Sequence, residues 1–262
     1  ILQPLAPATA LDGSASLSNV AIVTIGDNGI RSIGRGAAGG GNVSFINSSM
    51  FGIGANGILG SQIGNPVAGS GALVRVERSS IRNTVLNGIQ VSDSNLRVTS
   101  SNLQNNGGAA ISLINGSSAL IDLNRITGST TTGIQATANE TLTFNPTDGF
   151  TNVFNNLTAT NNTITVETSG IAIQGAINVN GAATPPSIIS QGIVRANISQ
   201  NNITATDQIG LSTINGVIGT TTTSPVQSFP PLLTGGLIVN NGRPQGIQIV
   251  AQNQAQLSAL NN

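Results

Sequence analysis

The residues able to do chemistry are few, and the arginines gather in one stretch. The nine carboxylates, Asp12, Asp27, Glu77, Asp93, Asp122, Glu140, Asp148, Glu167 and Asp207, are dispersed, with no two adjacent. The nine cations are all arginine, and five of them (Arg75, Arg78, Arg82, Arg97 and Arg125) lie in the middle of the chain. Hydrolysis of a glycosidic bond requires a pair of carboxyl groups across that bond. Elimination from an acidic glycan requires clustered acids for calcium beside a basic Arg or Lys. Glu77 and Asp122 are the candidates for a carboxylate pair, and Arg75 and Arg97 for gripping an anion. Together these four form a candidate charged face. The plainer reading is a solvated face whose opposite charges pair, each pair contributing up to about 1 kcal/mol.

Other chemistry is excluded by absence. The chain has no Cys and no His, so a zinc site, a thiol nucleophile and a His-dependent triad are excluded. No cofactor or metal is expected. Equal numbers of acids and arginines give no basic field for nucleic acid, and aromatic residues for base stacking are scarce. A sugar-gripping surface would normally present Trp or Tyr, and both are absent. No apolar run approaches the roughly 20 residues of a membrane-spanning helix. These absences argue against an enzyme.

The elements that must position those charges follow from a repeat. Apolar residues fall at Val74, Val76, Ile81, Ile89 and Val91, again at Leu96, Val98, Leu103, Ile111 and Leu113, and again at Ala119, Ile121, Ile126, Ile134 and Ala136. The internal spacing is the same in all three, and the units are offset by 22 and then 23 residues. The template extends to Val43 and Ala15 upstream and to Leu157 and Ala196 downstream, with a shortened last unit of Leu237, Val239, Ile247 and Ile249. Pairs spaced by two are strands with one face inward. A unit this short does not hold a βαβ crossover, and the leucine-rich pattern is missing. The expected fold is an all-β, right-handed parallel β-helix of about eight coils of 22–23 core residues, one domain over residues 1–262.

Two polar features accompany the template. The fourth apolar position follows a Gly, as in Gly57-Ile58 and Gly88-Ile89, often with Asn before it (Asn28, Asn56, Asn87). That pattern predicts a turn in which Asn and Gly take positive φ. Ser48, Ser79, Ser101, Asn124, Asn162 and Asn201 recur between the second and third apolar positions, where the chain must bend. They predict a ladder of side-chain hydrogen bonds along the stack. On this register Glu77 and Asp122 share a coil position two coils apart, with Thr99 between them, about 9.6 Å along the axis.

Insertions all fall between one unit and the next, the longest being Thr137 to Asn156, Gln174 to Arg195 and Ile214 to Gly236. Stacking in register places them on one edge, where repeat proteins commonly bind partners. Phe144, Phe150, Phe154 and Phe229 are the candidate partner-binding residues of that edge, although such side chains more often tuck onto the coil beneath.

The coil length, the Gly-Ile step and the Asn/Ser turns resemble the pectin-lyase-like superfamily of right-handed β-helices over almost the entire chain. The resemblance is architectural, and no family-specific catalytic motif accompanies it. The Asn, Ser, Thr and Gly content without Cys is most similar to the bacterial surface members, adhesins, autotransporter passengers and filaments. It implies an extracellular or cell-surface structural or adhesive protein. A polysaccharide lyase or hydrolase, or a non-catalytic glycan-binding module, is the alternative. Ile1 is not an initiator Met, and neither end reads as a capping helix. The expectation is a segment of a longer chain, or a subunit that stacks head-to-tail into a fibre.

Overall fold

The structure is a computed structural model that describes residues 14–34, 41–63, 73–138, 152–180, 187–205, 211–214, 217–218, 232–240, 247–250 and 258–260. Val74–Glu77 shows why its strands form. Val74 and Val76 are fully buried, while Arg75 and Glu77 alternate outward, the two-residue period of a strand covered on one face. Each coil has three such strands, as in Val74–Glu77, Ser80–Thr84 and Ile89–Ser92. The strand after each pairs one coil on, in parallel and in register: Val43 with Val74, Val74 with Leu96, Leu96 with Ala119, Ala119 with Leu157. Three parallel sheets result, wound as a right-handed β-helix, the hand that parallel crossovers take.

Apolar residues at the five template positions stack into one core. Phe45, Met50, Ile81, Leu103, Ile126 and Ile164 are among its fully buried members. Each large side chain so buried stabilises the fold by about 1.5–3 kcal/mol.

The corners account for every described residue of positive φ. At the first corner, between first and second strands, Asn19, Asn47, Arg78, Ser100, Leu123, Asn161 and Gln200 form one left-handed column. Thr24, Gly52, Asn83, Asn105 and Gly128 form another at the end of the second strand. Gln62, Asp93, Asn115 and Gly116 form the third, between coils.

The glycine of the Gly-Ile step has a different role from the one expected. Gly29, Gly57, Gly88 and Gly133 do not take positive φ; they are tight contacts between coils. A Cβ at Gly57 would stand 2.5 Å from the carbonyl oxygen of Gly88, and one at Gly133 2.5 Å from that of Gly170. The neighbouring backbone, not a turn, demands the missing side chain.

The insertions also differ from simple loops. Ser169–Asn180 continues beyond its coil, and Ser187–Ala205 returns antiparallel to it, pairing Ala176 with Gly192 and Asn180 with Ser187. On its other side the same returning strand pairs in parallel with Asn152–Thr160, Phe154 lying opposite Ile193. Strand pairing thus joins two of the three long insertions. The first half of the shortened last unit sits in another register: Ile238 lies opposite Ile203, Leu237 and Val239 flank it, and Leu233 lies opposite Ile198, whereas Ile247 and Ile249 lie opposite Leu211 and Thr213 as the template expects. The spacing-by-two pattern of Leu237 and Val239 belongs to the neighbouring column. Ser258–Leu260 starts one further coil on Leu232–Asn240.

Candidate functional site

The four charged-face residues converge as the register requires. Arg97 lies opposite Arg75, Thr99 opposite Glu77, and Asp122 opposite Thr99. Arg75 and Glu77, two apart on one strand, project from the same face and form an ion pair, and Arg78 Nη1 reaches Glu77 Oε1 at 2.9 Å. The hydrogen bond from Arg75, with the positive charges of Arg75, Arg78 and Arg97, holds the Glu77 carboxyl below its ordinary value against a smaller opposing effect of desolvation. Asp122 turns to the following coil, accepting from Thr160 Oγ1 at 2.6 Å and Asn161 Nδ2 at 2.9 Å.

That geometry does not make a carboxylate pair. The Thr99 rung separates the two acids by about 9.6 Å in the axial direction, at the outer limit for an inverting pair. Each acid is engaged with different neighbours. No group of three or more metal-ligating His, Cys, Asp or Glu side chains occurs among the described residues. Beside the face, Arg82 lies over the Phe51 ring, 5.8 Å from its centroid, a contact of about 0.5–1 kcal/mol at an exposed site.

Next to the face runs the first-corner ladder, at the residues expected from the sequence. The amide of Ser48 donates to Ser79 Oγ, that of Ser79 to Ser101 Oγ, that of Ser101 to Asn124 Oδ1, that of Asn124 to Asn162 Oδ1 and that of Asn162 to Asn201 Oδ1, at 2.9–3.2 Å. The asparagine rungs add a second bond through Nδ2 and a third to the backbone; Asn162 Nδ2 reaches Asn201 Oδ1 and the Ile121 carbonyl. All six rungs are buried, where an unpaired amide would cost about 1–3 kcal/mol.

Two more ladders run beside it. At the second corner Asn56 donates to Asn28 Oδ1, Asn87 to Asn56 Oδ1 and Ala109 N–H to Asn87 Oδ1, pointing toward the earlier coil. At the third corner Ile63 N–H donates to Ser94 Oγ, Ser94 to Ser117 Oγ and Ser117 to Asn155 Oδ1. The third-corner ladder is not among the expectations from sequence, although its signal is there. Ser94, Ser117 and Asn155 each stand two residues before a first apolar position, as Ser79, Ser101 and Asn124 stand before a third.

A shallow groove of about 800 Å³ follows the first corner, with Asn47, Arg78, Ser80, Asn102 and Arg125 along its sides. Within it Asn102 Oδ1 is buried without a donor, and Arg125 is exposed with no ion pair among the described residues. Of the partner-edge candidates, Phe144, Phe150 and Phe229 lie outside the described residues. Phe154 is placed on the insertion sheet, at the strand position opposite Ile193. The structure thus brings the four charged residues into adjoining columns, with Phe154 on a separate element. Comparison of the chain with family profiles, curated proteins and solved structures returned no match.

Proposed function

We propose that the chain is an extracellular structural or adhesive β-solenoid, the stalk of a surface adhesin or the unit of a filament, akin in architecture to pectin-lyase-like surface proteins. The observation that carries the reading is the commitment of polar side chains to the scaffold. Ser48 to Asn201 are spent on a ladder, and Glu77 and Asp122 on their own neighbours. A rod built so gains axial stiffness and gives up the free carboxyl groups that glycan cleavage would use. Protease treatment of intact source cells tests it. A surface stalk or filament is lost from intact cells, whereas a chain protected until lysis overturns the proposal. Electron microscopy at rising concentration separates the two forms, since strictly monomeric particles exclude self-assembly of this piece.

A second reading, a non-catalytic glycan-binding module, is favoured by the groove. Asn102 Oδ1 lacks a donor there, as a sugar hydroxyl would supply, and Arg125 is exposed beside it. Binding to arrayed acidic and neutral glycans, lost in Arg125→Ala, would support it; an array without binding would remove it.

A further inference from the structure

Five Asn-Gly steps lie among the described residues: Asn28-Gly29, Asn56-Gly57, Asn87-Gly88, Asn106-Gly107 and Asn115-Gly116. An Asn-Gly step can modify itself. The glycine nitrogen loses its proton and attacks Asn Cγ, and the Cγ–Nδ2 bond breaks with ammonia leaving. Water then opens the succinimide at either of its carbonyl carbons, giving aspartate or isoaspartate. Glycine permits the attack because no Cβ obstructs the approach. The step needs a glycine nitrogen free of other bonds and an asparagine side chain free to swing over it.

Four of the five steps are held at both groups. The N–H of Gly29, Gly57, Gly88 and Gly107 donates to a carbonyl of a neighbouring coil, at 2.8–3.0 Å. Their asparagine side chains are pinned too. Asn28 and Asn56 accept from the next rung, Asn87 accepts from Ala109 N–H, and Asn106 Oδ1 accepts from Thr84 Oγ1 at 2.9 Å.

The fifth is held at neither. Among the described residues Gly116 N–H has no acceptor, and Asn115 Oδ1 has no donor. Both residues are half-buried at the third corner, at φ of 30° and 60°, and no hydrogen bond holds the buried Asn115 Oδ1 in place. We infer that, of the Asn-Gly steps among the described residues, Asn115 is the one that deamidates in the folded solenoid.

The product would fall on a sensitive place. The Asn115 carbonyl accepts from the Asp93 amide at 2.8 Å and from Ser117 Oγ at 3.2 Å, and Ser117 is a buried rung of the third-corner ladder. The Asp93 carboxyl packs so closely on Gly116 that a Cβ there would stand 2.5 Å from Asp93 Oδ1. Modification adds a second carboxylate at the corner that already carries Asp93. Isoaspartate also adds a backbone carbon two residues before the Ser117 rung, so ageing at this step would loosen the stack between coils.

Peptide mapping by tandem mass spectrometry, after incubation of the folded protein in mildly alkaline buffer, tests the inference. Deamidation at Asn115 should run about tenfold or more faster than at the other four asparagines, which must first open locally. In urea all five should react at similar rates. Asn115→Gln should remove the fast fraction at this position, and isoaspartate methyltransferase should label the peptide that spans residue 115 in the aged wild type and not in this variant. A folded-state rate at Asn115 no greater than at Asn56 or Asn87 would overturn the assignment, and the wild-type map alone is enough to decide between these outcomes.

Discussion

The first and third corners of the coil carry similar ladders, yet only the third accepts insertions. At the first corner two residues link the strands in each of coils one to six, for example Arg78-Ser79 and Asn161-Asn162. The ladder there is continuous from Ser48 to Asn201. At the third corner the links vary in length, and the ladder ends at Asn155. Val194 occupies the next register position, and Asn155 Nδ2 is left buried without an acceptor. A ladder tolerates variation only where its rungs are few, because each added residue displaces a buried amide from its acceptor. Insertions, and with them the prospective partner edge, therefore collect where axial hydrogen bonding is already weakest.

The largest expected difference comes from removing a rung. Asn162→Ala leaves the buried Asn124 N–H without its acceptor and takes one bond each from Asn124 Nδ2, which keeps the Val98 carbonyl, and from the Ile121 carbonyl, and should cost about 4 kcal/mol in urea unfolding. Asn155→Ala removes one acceptor and also one unpaired donor, and should cost about 1 kcal/mol. Equal losses would break the contrast. Adding two glycines is the next test. Between Asn161 and Asn162 they should lower stability by about 3 kcal/mol, by displacing rungs. Between Asn115 and Gly116 the cost should be smaller, about 1 kcal/mol, because the shorter third-corner ladder has fewer rungs beyond Ser117 to displace.

What is legible in the sequence follows the same division. Val74, Val76, Ile81, Ile89 and Val91 are readable as core because a strand buried on one face imposes a period of two. The first ladder is readable because its rungs keep a fixed distance from those positions. The Gly-Ile glycine is visible but its reason is not, since the carbonyl that excludes a Cβ belongs to another coil. Glu77 and Asp122 share a column as expected from register. The pairing of Arg75 with Glu77, two apart on one face, is readable as paired opposite charges, whereas the turn of Asp122 to Thr160 is hidden, because register does not say which neighbour a side chain reaches. The last unit misleads because Leu237, Ile238 and Val239 are three apolar residues in a row, which leaves the period ambiguous.

A smaller effect sharpens the first corner alone. Leu123 is exposed at φ 57°, a left-handed conformation that costs a branched residue about 1 kcal/mol. Leu123→Gly should raise stability in urea by less than this, because Leu123 is 58% exposed and gives up the part that is buried, whereas Asn115→Gly at the third corner should change little. The smallest effect is at Glu77. Its carboxyl titrates below the ordinary value when folded, so its contribution is present above that value and fades as pH falls through the lowered one. Glu77→Gln should flatten this acid limb by lowering stability slightly at neutral pH, while leaving it unchanged at a pH below the lowered value.

Hydrogen exchange on the wild-type chain tests the claim of a continuous first-corner lock most directly. The amides of Ser101, Asn124 and Asn162 should exchange only through global unfolding, and Gly116, which has no acceptor among the described residues, should exchange orders of magnitude sooner. Fast exchange at Asn124 and Asn162, comparable with that of Gly116, would contradict the account.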